Sequence, residues 1–353
     1  MDYNFTTAVL NTTTNDRPIE QPPQRDNVKL IIDFYRACLY PCIVLMGIGG
    51  NALSLIIFPR MKRRDKSTSQ YLTLLAASDL VYLLTNALTD SWMNNALHDF
   101  TDGRVEFDLL ASHVVVCKSF RFFWYISTST STWTLMLFNL EKCVAILFPL
   151  KRERLFTSRK RKIAIIFTVI TAVVASSPFV VVYELNDTGT NCNLTFVRLP
   201  GAGTAILIVI NLTTTLVIPC FVVIVSNVVI ASTLIKTRYR QATGSSAIQK
   251  HGGLSDDKSY RFLVNLISVS ALFLVTVTPA CVLWSMFWIR VLIYDLYGSA
   301  PSYDVLYYAI VSTNIQDLNF CLNFIVYVVC LDFYQQEARR ILCRCCTAIN
   351  KDK

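Results

Sequence analysis

At 353 residues, with 53% hydrophobic and only 16% charged side chains, the chain is too apolar for an ordinary soluble domain. Its formal charge of +9 is concentrated in short segments between apolar runs, so it reports membrane topology rather than a nucleic-acid partner. The sequence holds no catalytic triad, Gly-rich phosphate loop or metal-ligand spacing of His and Cys, which leaves no ground for an enzyme or a metal centre.

Residues 1–33 are polar and rich in Thr, Asn, Pro and Gln, without an apolar signal core. They are expected to form a disordered external tail, with the first span acting as an uncleaved anchor. Glycosylation sequons begin at Asn4 and Asn11. Seven apolar runs follow, near Ala37–Phe58, Tyr71–Leu88, Ser112–Leu140, Ile163–Tyr183, Ala205–Ile235, Phe262–Trp288 and Leu306–Leu331. Each holds about 18 residues or more, enough to cross ~30 Å of hydrocarbon as a helix. The pattern predicts an all-α membrane protein: a seven-transmembrane helix bundle over residues 34–331, then a short amphipathic cytoplasmic helix and tail over 332–353.

Threading follows from the loops, because Lys and Arg are retained on the cytoplasmic side. Arg60, Lys62, Arg63, Arg64 and Lys66 follow the first run, and Lys151, Arg152, Arg154, Arg159, Lys160, Arg161 and Lys162 follow the third. With the polar loop Lys236–Arg261 and the tail, about 24 of the 33 Lys and Arg fall on that face. The amino terminus is therefore expected outside and the carboxyl terminus inside the plasma membrane. The other face carries Asp90, Asp99, Asp102, Glu106, Glu184 and Asp187 among its acids, a field that favours a cationic ligand. Sequons at Asn186 and Asn193 lie on that same outer face. Cys117, at the outer start of the third run, and Cys192, in the loop after the fourth, sit where an oxidising compartment would couple them in a disulfide. Cys343, Cys345 and Cys346 follow the amphipathic stretch just inside the membrane and are candidates for palmitoylation.

Several motifs in order carry a family likeness: Gly50-Asn51 in the first run, Leu75-Ala76-Ala77-Ser78-Asp79 in the second, Cys117 and then Glu141-Lys142-Cys143 in the third. Pro178, Pro219, Phe273 and Pro279 continue it, and Asn319, Asn323 and Tyr327 close it. In these the chain resembles the rhodopsin-like class A G-protein-coupled receptors over nearly its whole length, and most of all invertebrate neuropeptide receptors. The resemblance implies a polar cluster of Asn51, Asp79, Ser131, Asn319 and Asn323 that holds a structural sodium ion, the one cofactor expected. It also implies that Glu141, Lys142, Phe273, Pro279 and Tyr327 serve activation and G-protein coupling, with a local Glu141–Lys142 ion pair at rest. The chain departs from the family where Lys142 stands for Arg, Val277 for the sixth-helix Trp and Phe324 for the Pro before Tyr327. Lys142 keeps the cation without the planar fork of arginine.

Asp90 lies about three turns outward from Asp79, and Asp317 about two turns outward from Asn323. With Trp92, Arg121, Trp124, Tyr125 and Thr313 they would form an outer pocket for a ligand bearing a cation and aromatic or amide groups, the alternative being that Asp317 extends the polar cluster instead. The expected function is that of a receptor for a cationic or amidated neuropeptide that activates heterotrimeric G proteins, with arrestin and membrane lipids as further partners. The alternative is an atypical receptor that scavenges its ligand or signals through arrestin alone. A secondary transporter is disfavoured, because neither inverted repeats nor paired helix breaks are visible.

Overall fold

The computed structural model describes residues 34–61, 66–96, 109–148, 154–185, 192–194, 201–242, 257–297 and 303–349. Among these, seven long helices form the expected bundle and an eighth turns away from its end. Helix α1 opens with a π-helical turn, Tyr35–Leu39, and continues as Tyr40–Ile57. Helix α2 is α-helical over Lys66–Tyr82 and π-helical over Leu83–Ala96. Helix α3, Val114–Leu147, has 34 residues and so a length of about 51 Å. The His113 side chain caps it by accepting from the Val115 N–H. Helix α4, Ser158–Ser176, is capped by Thr157, which accepts from Lys160. Pro178 and one further turn, Phe179–Val182, lead out of it.

Strands β1 (Tyr183–Leu185) and β2 (Cys192–Leu194) pair antiparallel with Leu185 opposite Cys192. The Cys117–Cys192 disulfide, with Cα atoms 5.6 Å apart, fastens this hairpin to the start of α3. Helix α5 runs through Gly201–Leu212, a π-helical turn Thr213–Val217, and Ile218–Ala242. Helices α6 (Asp257–Tyr297, with Pro279 inside it) and α7 (Tyr303–Cys330) follow. Helix α8, Asp332–Ile349, is the amphipathic segment, turned by 96° from α7. Tyr334 is buried against the bundle and Arg339 and Arg340 are exposed. The polar stretch Lys236–Arg261, read above as loop, is helical at both ends, since α5 reaches Ala242 and α6 begins at Asp257. Once nucleated, helical hydrogen bonds propagate past the point where the apolar run stops.

Polarity is arranged for a hydrocarbon solvent, with apolar side chains outward and the ionisable groups inside. Phe167 and Val174 on α4 are 67% and 64% exposed, whereas Asp79, Glu141 and Asp317 are 0% exposed. Among the described residues α1, α2, α4, α5 and α6 are each long and apolar enough to span a bilayer, and α7 taken with the bend into α8 makes a sixth. Helix α3 differs because six consecutive residues, Ser127 to Thr132, are hydroxyl-bearing and buried. Ser127 and Thr128 both donate to the Trp124 carbonyl at 2.9 Å, and Thr132 donates to that of Thr128 at 3.0 Å. These bonds to the helix's own backbone satisfy three of the six hydroxyls without breaking it, while Ser129 meets Thr215 and Ser131 donates to Asp79.

Candidate functional site

Among the described residues, four polar centres lie along the bundle. At its middle, the Asp79 carboxylate accepts from Ser131 Oγ at 2.7 Å and Asn323 Nδ2 at 2.8 Å, so α2, α3 and α7 meet on one buried charge. Asn51 Nδ2 donates to the carbonyls of Gly47 at 2.9 Å and Phe320 at 2.8 Å, joining α1 to α7. The Oδ1 atoms of Asn51, Asn319 and Asn323 are buried without a protein partner, as is the Tyr327 hydroxyl. Unpaired amide oxygens next to a carboxylate are the donor set of a hard cation or of ordered water. The cluster therefore fits a sodium ion in donor chemistry, while no cluster of three or more His, Cys, Asp or Glu exists among the described residues.

At the hairpin end, Arg121 is 3% exposed, one turn inward from the disulfide at Cys117. Its guanidinium carbon lies 5.6 Å from the centroid of the Trp124 ring and 5.2 Å from that of Tyr183. Tyr125 stacks on Phe179, with centroids 3.6 Å apart, and its hydroxyl is 3.4 Å from that of Tyr183. Trp284 Nε1 donates to Thr313 Oγ1 at 2.9 Å, closing α6 onto α7. Lys118 and Glu184 pair at 3.5 Å and add a second tie between α3 and β1. Arg121, Trp124 and Tyr125 thus lie together with Tyr183, and Trp284, which bonds Thr313, packs on the same cluster as Tyr125.

Asp317 takes a different place from the one its spacing suggested. It accepts from Tyr40 Oη at 2.5 Å and from Tyr82 Oη, so α1 and α2 each place a tyrosine on it. Tyr82 also accepts from Asn86 Nδ2 at 3.1 Å, lies beside Trp124, and stacks on Phe320 at 3.7 Å. Both carboxylate oxygens therefore meet hydroxyls in the seam between α1, α2 and α7. Asp90 and Trp92 fall on the π-helical stretch of α2, whose i→i+5 bonding breaks the 3.6-residue phase used to set Asp90 over Asp79. Their side chains, like those of Asn193, Cys343, Cys345 and Cys346, lie outside the described residues. Asn4, Asn11 and Asn186 lie outside them altogether.

At the opposite end, Glu141 pairs with Arg161 at the start of α4, where sequence reasoning looked to the adjacent Lys142. Arg161 Nε donates to Glu141 Oε2 at 3.0 Å and Nη2 to Oε1 at 3.4 Å. Nη2 also donates to the Phe156 carbonyl at 2.9 Å, and Nη1 to Gln70 Oε1 at 3.5 Å. Lys142 instead donates to Thr68 Oγ1 at 3.2 Å, with its ammonium 5.2 Å from the Phe138 centroid. Ser270 Oγ donates to Asn139 Oδ1 at 2.9 Å, a direct bond from α6 to α3. Phe273 and Tyr327 are each 1% exposed, and Tyr327 meets Phe58 edge-on at 5.1 Å. Sequence reasoning missed Arg161 because it counted as one of a run of loop charges. Thr157 four residues earlier was the available signal, since an N-cap there places Arg161 inside the first turn of a helix.

A bundle of seven helices, a disulfide from the third to a hairpin after the fourth, and a buried Asp–Asn cluster at mid-depth together define one architecture. The profile of the 7 transmembrane receptor (rhodopsin family) matches residues 50–327. The chain belongs to that family. Its members are receptors rather than enzymes. Similar curated proteins include the growth hormone secretagogue receptor type 1 of Sus scrofa, 26% identical over 190 residues, 51% of this chain and 49% of that one. The gastrin/cholecystokinin type B receptor of Sus scrofa is 32% identical over 116 residues, 33% of this chain and 23% of its own length. Lysophosphatidic acid receptor 6 of Homo sapiens is 23% identical over 156 residues, 44% and 42% of the two chains. The matched segments thus span about half of these relatives or less.

Proposed function

We propose that this receptor takes an extracellular peptide carrying aromatic and amide or cationic groups at the hairpin end and activates a heterotrimeric G protein at the Glu141 end. The relatives are named for gastrin and cholecystokinin, for growth hormone secretagogues and for lysophosphatidic acid, so their names leave the ligand class divided. The observation that carries the peptide reading is the aromatic floor of Trp124, Tyr125 and Tyr183 around the Arg121 guanidinium, under a hairpin fixed by a disulfide. Stacked rings bind aromatic side chains, and a guanidinium donates to amide carbonyls. The amidated member of the expected pair of ligands is favoured over the purely cationic one, because Asp317 already meets two tyrosine hydroxyls.

In this reading the hairpin end is outside the cell, with glycans on Asn4, Asn11, Asn186 and Asn193, and the basic Glu141 end is inside. Cys343, Cys345 and Cys346 carry palmitate beside the membrane surface, where arrestin and lipid headgroups also engage. Sodium occupies the Asp79 cluster in the resting state. An agonist that favours the open inner face by differential affinity is coupled reciprocally to the partner bound there.

The test is a panel of Arg-containing amidated peptides on cells expressing the receptor, with lysophosphatidic acid as the lipid comparator. Calcium, cyclic nucleotide and arrestin recruitment are recorded in parallel. A dose-dependent peptide response that weakens at least tenfold in Arg121→Ala supports the reading. Response to the lipid with silence to every peptide overturns the ligand class, and peptide uptake or arrestin recruitment without nucleotide exchange favours the atypical receptor.

A further inference from the structure

Helices α1 and α7 meet along a seam of close contacts, and one of its residues stands where the family carries proline. Tyr40 reaches Asp317, Asn51 reaches the Phe320 carbonyl, and Ser54 Oγ lies 2.9 Å from Tyr334 Oη just past the end of α7. Two glycines of α1 complete the seam. A methyl group on Gly47 would lie 2.8 Å from Cys321 Cα, and one on Gly50 would lie 2.7 Å from Phe324 Cδ2 and nearer still to Cγ and Cδ1. The Phe324 ring is therefore seated on the bare backbone of Gly50, where no other residue leaves room for it. Tyr334 binds the same turn again, donating to the Gly50 carbonyl at 3.4 Å.

We propose that Phe324 is a positioning residue: by sitting on Gly50 it ties the Tyr327 end of α7 to α1, so that in signalling this end stays in place and α6 alone swings. The proposal rests on the receptor reading above. Phenylalanine keeps its backbone N–H, so α7 runs without a proline kink from Tyr303 to Cys330. Helix α6 is built the opposite way. It keeps Pro279 within it, and near its Glu141 end Ser270 donates to Asn139 on α3. A proline within a helix permits it to bend, whereas a ring interlocked with a glycine flanked by four polar contacts resists movement.

The contact itself is tested by thermal stability of Gly50→Ala, Phe324→Ala and the double variant. Gly50→Ala is expected to lower the Tm by roughly 1–4 °C through overpacking. The double variant is expected to lie above Gly50→Ala, because removing the ring restores the space. A Gly50→Ala variant as stable as the parent, or a double variant below both singles, overturns the contact. The movement is tested with spin labels on an unnatural keto amino acid, since Cys42 is exposed. Label pairs at Ile163 and Ala271 report α6, and pairs at Ile56 and Val329 report α1 against α7, without and with nucleotide-free heterotrimeric G protein. The expected result is a longer α6 distance, an unchanged α1–α7 distance in the parent, and a changed one in Phe324→Ala. An α1–α7 distance that shifts equally in parent and Phe324→Ala overturns the proposal. An α6 distance that no G protein alters overturns the receptor reading instead, and the stability cycle tells the two failures apart.

Discussion

Arg161→Met isolates the Glu141–Arg161 pair, the charged contact that sequence reasoning did not foresee. Glu141 is 0% exposed and the Arg161 side chain 9%, so solvent screening does not discount the interaction as it would on a surface. The substitution removes two bonds to Glu141 and one each to Gln70 and the Phe156 carbonyl, leaving a buried carboxylate beside Tyr71. Stranding one partner of a buried pair costs about 3–5 kcal/mol. With an unfolding entropy of about 2.1 cal/mol/K per residue over 353 residues, that lowers Tm by roughly 4–7 °C. Replacing both partners, Glu141→Leu with Arg161→Met, leaves no buried charge and recovers most of the loss, because matched apolar groups replace buried ion pairs with little penalty. The assay is thermal unfolding followed by a thiol-reactive dye, since Cys143, Cys281 and Cys321 are free and buried in the folded state. A single variant within about 1 °C of the parent, or a double variant no better than the single, would refute the claim that the pair is desolvated and matched.

Ser270→Ala removes the bond from α6 to Asn139, worth about 1 kcal/mol, so basal nucleotide exchange on a co-expressed G protein should rise about fivefold; unchanged exchange means the tether does not restrain α6. If sodium occupies the Asp79 cluster, the parent melts higher in sodium chloride than in potassium chloride at equal ionic strength, and Asp79→Asn abolishes the difference; equal melting of the parent in both salts argues for water there. Cys117→Ser and Cys192→Ser should each lose about 2–4 kcal/mol, with the double variant no worse than either, because both remove the same cross-link; additive losses would show that the cysteines are not paired. Phe324→Pro should destabilise the fold by about 1 kcal/mol less than Val326→Pro. The carbonyl freed in the first is that of Phe320, to which Asn51 already donates, whereas among the described residues no side chain donates to Leu322; equal losses would show that Asn51 gives no such relief.

The spans were legible because hydrocarbon imposes one local demand, about 20 apolar residues, that survives in any window of sequence. The disulfide was legible because counting loop charges puts both cysteines on one face, Cys117 at the start of the third run and Cys192 in the loop after the fourth. Partner choice between helices has no such local signature. Arg161 belongs to a cluster of seven bases, and nothing in that run says that one of them turns inward to meet a carboxylate twenty positions earlier. Asp317 was placed by its height on α7, which is correct, but its direction is set by Tyr40 and Tyr82 on two other helices. On α2 the helix changes type beyond Tyr82, where i→i+5 bonding adds residues per turn, so a uniform 3.6-residue phase does not carry from Asp79 through this stretch.

The departures from the family pattern change meaning once they are paired. Taken alone, Phe324 is the loss of a proline and Gly50 is a small residue that lowers helix propensity. Side by side they are one feature, because the ring fits only against a residue without Cβ and the glycine is filled only by a flat side chain. Lys142 follows the same logic. A lysine in place of arginine is a weaker partner for Glu141, but here Arg161 supplies the forked guanidinium from α4 and Lys142 turns to Thr68 and Phe138. The carboxylate keeps a bidentate partner from α4 while the Lys142 ammonium on α3 donates to Thr68 on α2. Releasing Lys142 toward an incoming partner therefore need not break the buried ion pair, and this decoupling is the physical difference between this chain and a receptor whose acid and base are neighbours on one helix.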